Sequence, residues 1–188
     1  MTTVSDQRRA ALRARRALSE SLSARYGDLA CRRLARLAVA RRARAIGLYW
    51  PLASEIDPRP LIAMAPPGAD ILLPRVVGQK LAFVVYTPKA RWRRSALGIL
   101  ELRGGQPHSL ASLDLLVMPL AGFDRYGHRI GMGGGFYDRS LAGVRRRPYR
   151  SPTRIGLAFE CQQLPAVESQ PWDVELDAVV TERRIYRG

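Results

Sequence analysis

Leu113-Asp114-Leu115-Leu116-Val117-Met118-Pro119 runs directly into Leu120-Ala121-Gly122-Phe123-Asp124-Arg125-Tyr126-Gly127-His128-Arg129-Ile130-Gly131-Met132-Gly133-Gly134-Gly135-Phe136-Tyr137-Asp138-Arg139. The first part is a short apolar run stopped by a proline. A strand with no alternating polar face is buried on both sides, as in parallel or mixed sheets. Four glycines then fill five positions from 131 to 135, and Phe136 to Leu141 reads as a helix start. Similar runs lie at Ala45–Tyr49, Ile71–Pro74, Leu81–Tyr86, Arg154–Phe159 and Ala178–Thr181. Asp57-Pro58-Arg59-Pro60-Leu61-Ile62 looks like a proline-started helix. Residues 5–45 read as helical, capped by Ser5 or Asp6 and restarted at Ser19, with Leu22, Leu29, Leu34 and Leu37 at helical spacing. Buried strands alternating with helices give an α/β chain, expected as one three-layer sandwich spanning 1–188 with a mostly parallel or mixed sheet and a helical N-terminal part.

With 188 residues and 47% hydrophobic composition, the chain is long enough and apolar enough to bury a core, which excludes wholesale disorder. No run of about 18 apolar residues is present to cross a bilayer. The N-terminal arginines precede no apolar stretch of the kind a secretory signal needs. Cys31 and Cys161 are too few for a disulfide framework or a four-cysteine zinc site, so a reducing cytoplasm is the expected compartment.

Lys+Arg 31 against Asp+Glu 16 leaves a formal charge of +15. Arginine supplies 29 of those cations and 12 of them precede residue 51, the rest being dispersed. Clusters such as Arg41-Arg42-Ala43-Arg44 and Arg145-Arg146-Arg147 read as solvated faces or loop rims. The charge supports an anionic partner. RNA is disfavoured, because aromatics are only 7% and no binding motif interleaves them with the arginines.

Glycines let a backbone approach a ligand closely, and successive amides ahead of a helix can form a concave anion site. Arg129 and Arg139 flank this one with charge. No lysine followed by Ser or Thr closes it as a P-loop, and its glycine spacing is not the dinucleotide fingerprint. The plainer reading is a flexible surface loop. Arginine and aspartate framing the glycines directly after a buried strand favour a phosphate site.

The pattern Pro-x-x-x-Phe-Asp-x-x-Gly-x-Arg-Ile-Gly-x-Gly-Gly-Gly-Phe-Tyr-Asp-Arg, from Pro119 to Arg139, resembles the 5-formyltetrahydrofolate cyclo-ligase family, also called methenyltetrahydrofolate synthetases. Tyr49 to Asp57 is similar to that family's substrate loop, Leu73-Pro74-Arg75 to its second-strand motif, and Gly156 to Gln162 with Pro171 to Glu182 to its C-terminal motif. The resemblance runs from about residue 8 to 183.

It implies ATP-driven, Mg²⁺-dependent closure of 5-formyltetrahydrofolate to 5,10-methenyltetrahydrofolate by a monomeric enzyme. It assigns Arg129 and Tyr137 to catalysis, and Arg8, Arg9, Arg13, Arg129, Gly131, Gly133, Gly134, Gly135 and Tyr137 to ATP. Trp50, Glu55, Met132, Gly133, Gly134, Gly135 and Phe136 fall to the folate, and Asp138 and Asp173 to the metal. Each has a plainer alternative: a helix cap for Asp138, a turn acid for Asp173, a strand-end core residue for Trp50, a helix-start acid for Glu55. Arg75 either reaches a ligand or lies exposed, and His108 and His128 read as solvent histidines. Gly98-Ile99-Leu100-Glu101-Leu102 departs from the family's Gly-Ile-x-Glu-Pro, which puts that loop's geometry in doubt.

Overall fold

The computed structural model describes residues 3–95, 98–142 and 151–188. Three helices open the chain, α1 (Val4–Arg16), α2 (Glu20–Ala35) and α3 (Ala38–Arg42). They are followed by β1 (Ala45–Gly47), α4 (Pro60–Met64), β2 (Asp70–Val77), β3 (Lys80–Val85), β4 (Arg91–Arg94), β5 (Leu100–Arg103) and β6 (Leu115–Met118). The remaining elements are β7 (Gly122–Phe123), β8 (Arg129–Ile130), α5 (Phe136–Leu141), β9 (Thr153–Leu157), β10 (Ala178–Val180) and β11 (Ile185–Arg187).

The N-terminal cap is Thr3, not Ser5 or Asp6. The Thr3 hydroxyl accepts from the Asp6 amide at 3.2 Å while the Asp6 carboxylate accepts from the Thr3 amide at 3.3 Å. That reciprocal arrangement needs the acid three residues inside the helix, which moves the cap outward. Ser19 caps α2 as expected, accepting from Leu22 N–H at 3.3 Å. The α2 face turned to the core is Gly27, Ala30, Cys31 and Leu34, whereas Leu22 and Leu29 are 38% and 41% exposed. The small residues Ala30 and Cys31 allow close approach, so they and not the larger leucines face inward.

Seven strands form a mixed sheet in the order β11-β10-β9-β6-β1-β2-β3. The inner pairs are parallel, and the edge strands β3 and β11 are antiparallel to their neighbours. Side chains alternate across it. Ile71, Leu73, Leu115 and Val117 pack with the helical layer through Ala30, Cys31, Leu34 and Leu61. Leu72, Leu116 and Met118 face a second core with Leu110, Phe123, Leu141 and Val174. Two cores on opposite faces make the three layers.

β1 has β2 on one side and β6 on the other. The chain departs in opposite directions from the carboxyl ends of β1 and β6, and such a switch point opens a crevice there. Beside it stands the antiparallel hairpin β4–β5, which includes the stretch that departs from the family pattern. Arg75 neither lies free nor reaches a cavity: it donates to the carbonyls of Leu102 (2.7 Å), Gly104 and Gly105 (3.3 Å). Glu101, 2% exposed, accepts from Val76 N–H at 2.8 Å and from Arg93 at 3.2 Å. These side chains hang the hairpin on β2. Arg41, Arg42 and Arg44 are exposed, as expected of a solvated face, while Arg145-Arg146-Arg147 lies outside the described residues.

Candidate active site

Asp124 fixes the turn that delivers Arg129. It is 1% exposed and accepts from the amides of Tyr126 (2.9 Å), His128 (3.1 Å) and Val167 (3.0 Å). His128 Nδ1 lies 2.9 Å from the same carboxylate, so His128 is half-buried and partnered, contrary to its reading as a solvent histidine. His108 is exposed.

The Arg129 side chain is 4% exposed. Its Nη2 donates to Asp138 Oδ1 at 2.7 Å and its Nη1 to the Val174 carbonyl at 3.1 Å. Asp138 Oδ1 also accepts from Val174 N–H at 3.2 Å. This closed triangle ties the glycine loop to the segment that carries Asp173. Asp138 is therefore not the cap of α5; Gly135 occupies that position.

Gly133 and Gly135 have φ of +96° and +61°, a backbone that side-chain-bearing residues rarely adopt. Two arginines hold the loop's carbonyls. Arg8 Nε donates to Gly131 O at 2.9 Å, and Arg139 Nη2 donates to Gly134 O at 2.6 Å while its Nε reaches Gln79 O at 2.8 Å. Among the described residues, no acceptor of the chain takes the N–H groups of residues 131–135. Five donors with no partner among the described residues, framed by cations, suit an anionic ligand.

Two cavities open on either side of this loop and share Arg129, Gly131, Gly135 and Asp138 in their walls. The first, about 320 Å³, is lined by Tyr49, Trp50, Leu52 and Glu55 after β1, by Pro74 and Val76 of β2, and by Pro119 after β6. Met132, Gly134, Phe136 and Tyr137 complete its glycine-loop side, and Ile99, Leu100 and Glu101 its hairpin side. The Trp50 ring packs 4.3 Å from that of Trp92, with the Arg59 guanidinium 5.1 Å above it. Glu55 accepts from Leu52 N–H at 2.8 Å. Burial raises its carboxyl above the ordinary range, opposed by that amide and by the Arg15 charge. Burial, helped by the Glu55 charge, also pushes the Tyr137 hydroxyl up, against the pull of Arg129. Tyr137 thus keeps its proton at neutral pH.

The second cavity, about 410 Å³, is lined by Val4 and Arg8 of α1, by Gly133, Arg139 and Ala142, and by Val167, Glu168, Gln170, Trp172 and Asp173. Asp138 and Asp173 face it together. Asp173 accepts from Gln170 N–H through Oδ2 at 2.9 Å. Asp177 is instead paired with Arg154 at 2.8 Å, which separates the two candidate acids. Each cavity acid commits one oxygen to the chain, and hard oxygen donors suit Mg²⁺, which takes one or two carboxylates along with phosphate oxygens. No group of three or more potential metal ligands occurs among the described residues.

Of the N-terminal arginines, Arg8 lines the second cavity. Arg9 is exposed and pairs with Asp6, and Arg13 is exposed. The helix explains the split, since Val4 and Arg8 lie one turn apart on one face while Arg9 and Arg13 project from another. Sequence reasoning did not single out Arg15, 3% exposed, which donates to Ser54 Oγ at 3.1 Å and Leu120 O at 3.3 Å behind Glu55. Its only signal was its place on the α1 face that also carries Ala11. Glu101 and Trp92 were missed because the hairpin was.

Two cavities that share one arginine–aspartate wall lie by the carboxyl ends of β1 and β6, the place where α/β sheets of this kind bind ligands. Residues 2–182 match the model of the 5-formyltetrahydrofolate cyclo-ligase family, and the chain belongs to that family as one of its enzymes. The chain is 32% identical to the 5-formyltetrahydrofolate cyclo-ligase of Escherichia coli over 92% of this chain and 96% of that one. It is 34% identical to the enzyme of the same name from Haemophilus influenzae over 72% and 74%. Its fold is similar to the NMR structure of Aquifex aeolicus 5,10-methenyltetrahydrofolate synthetase, with a TM-score of 0.83 and 27% identity, covering 98% of this chain and 92% of the other. No helix among the described residues is long and apolar enough to cross a membrane.

Proposed function

We infer that the chain works as one monomeric, cytoplasmic catalytic unit that, with Mg²⁺ bound, converts 5-formyltetrahydrofolate and ATP into 5,10-methenyltetrahydrofolate, ADP and phosphate. The reading is carried by the shared wall: Arg129 and Asp138 border both cavities, so a folate in the first meets a triphosphate in the second there.

The formyl oxygen attacks the γ-phosphorus and ADP leaves. Nitrogen 10 then attacks the formyl carbon and gives up its proton to solvent, and phosphate departs with the former formyl oxygen. Such transfers rest on positioning and charge neutralisation more than on a protein nucleophile. Trp50 packs on the pterin and ionised Glu55 accepts from its amino-pyrimidine edge, with Met132 and Phe136 along the apolar wall. Arg129, Arg8 and the amides of Gly131, Gly133, Gly134 and Gly135 bind phosphate oxygens, and Tyr137 donates to the oxygen in transfer. Asp138, through the oxygen not held by Arg129, and Asp173 would hold Mg²⁺. When bound, that ion neutralises phosphate charge.

Absorbance at the methenyl-folate band tests this with purified protein and single omissions. The rise should need folate, nucleotide and Mg²⁺ together; a rise without nucleotide would refute it.

A further inference from the structure

Trp172 is the most exposed of the large apolar side chains, at 67%. An indole left in water has a cost unless something covers it. Its position is fixed from both ends. Gln170 and Asp173 close a tight turn, Asp173 N–H donating to Gln170 O at 2.9 Å while the Asp173 carboxylate takes Gln170 N–H at 2.9 Å. Pro171 precedes the tryptophan at the turn corner, where its ring sets φ. The turn thus presents an aromatic plate beside an acid, and both line the second cavity.

The cavity joins cations and apolar side chains in one lining. Arg8, Arg129 and Arg139 stand there with the glycine loop, whose amides at 131–135 meet no acceptor among the described residues. Val4 and Val167 line it too, packed in a small apolar cluster with Ala121 and Ile130. Trp172 lines the same cavity outside that cluster, its ring open to solvent. Phosphates need the cations and amides; an exposed indole has no use for them and suits a flat, apolar-faced group.

We propose that Trp172 is the nucleobase platform of this cavity, stacking the base of the nucleotide whose phosphates lie on the glycine loop. The inference rests on the reading of the second cavity as the ATP chamber and extends it to the base. Stacking is tolerant of base identity because every base has a π-face. Other nucleoside triphosphates therefore bind as well, purines better than pyrimidines through their larger overlap.

The test uses the full-length protein and ADP, titrated by quenching of tryptophan fluorescence and independently by calorimetry. The wild type quenches on ADP. Trp172→Ala binds ADP about 5- to 150-fold more weakly, whereas Trp172→Phe recovers most of the affinity. Inorganic tripolyphosphate, which has no base, binds wild type and both variants alike. Unchanged ADP affinity in Trp172→Ala overturns the proposal. So does an equal loss for ADP and tripolyphosphate, which would make the tryptophan a support for the Asp173 turn. If the wild type binds neither ligand, the reading of the cavity itself falls, and this inference with it.

Discussion

Replacing Arg129 by methionine removes the guanidinium from the wall between the chambers while filling most of its volume. It leaves the Asp138 carboxylate and the Val174 carbonyl without their 2.7 and 3.1 Å donors. Removing one member of a buried ion pair costs about 3–5 kcal/mol. The arginine side chain is 4% exposed but that of Asp138 is 23%, so water partly hydrates the stranded charge. The loss then falls near the lower end, about 3 kcal/mol. For a chain of this size each kcal/mol moves Tm by roughly 2–4 °C, giving a fall of roughly 6–12 °C. Arg129→Met combined with Asp138→Leu removes both charges and leaves only the Val174 peptide unpaired. It should recover about half of that loss in thermal denaturation. Turnover in the methenyl-absorbance assay should stay abolished in both variants, because the proposed phosphate clamp is gone in both. A double variant that regained turnover along with stability would show the pair to be structural only. Arg129→Met with unchanged ATP saturation would refute its role outright.

Three other perturbations separate the chambers. Asp173→Asn keeps an oxygen for Gln170 N–H, so Tm should move by no more than about 2 °C, while the Mg²⁺ needed for half-maximal rate rises at least tenfold; an unchanged Mg²⁺ titration would remove Asp173 from the metal site. Trp92→Ala takes away the ring 4.3 Å from Trp50 and should raise the KM for 5-formyltetrahydrofolate severalfold while leaving that for ATP unaltered. A parallel rise in both would mean that the hairpin supports the whole site. In its proposed role Glu55 must be ionised to accept from the folate, and burial holds its carboxyl above the ordinary 4.5. As pH falls, folate affinity should be lost earlier than an ordinary glutamate would allow, and Glu55→Gln should flatten that profile. The stability sign is opposite: the folded state holds this proton more tightly than the unfolded chain does. Glu55 therefore opposes folding progressively as pH rises from 4.5 through its folded value.

Six of the seven strands of the main sheet were legible as short apolar runs, Leu115–Met118 before Pro119 most plainly. The reading Ile71–Pro74 undershoots β2, which continues through Pro74 to Val77, and β11 and the short β7 and β8 were not read. The β4–β5 hairpin was not legible. Arg91-Trp92-Arg93-Arg94 carries a single apolar residue and the alternation of Leu100-Glu101-Leu102-Arg103 lasts only four positions, while long-range bonds from Arg75 and Glu101, which no local pattern reports, hang the pair on β2. Within the candidate site, the glycine run and its flanking charges were visible as a motif. What the motif could not give was which cation of α1 faces it. Arg8 and Arg9 look equivalent in sequence and differ only by the 100° between successive helix positions, which sends one to Gly131 O and the other to Asp6. The burial that shifts Glu55 and Tyr137 was likewise invisible, being a property of the chamber that Tyr49, Pro74 and Pro119 close from three strands.

In the proposed reaction the two chambers meet so that the formyl oxygen of one substrate takes the γ-phosphoryl group of the other. Labelling that oxygen with ¹⁸O and analysing the phosphate released in a single turnover follows the transfer atom by atom. One labelled oxygen is expected in each phosphate, formed together with the methenyl product. Unlabelled phosphate, with the label released to water, would show that nucleotide hydrolysis and ring closure are not joined at the Arg129–Asp138 wall.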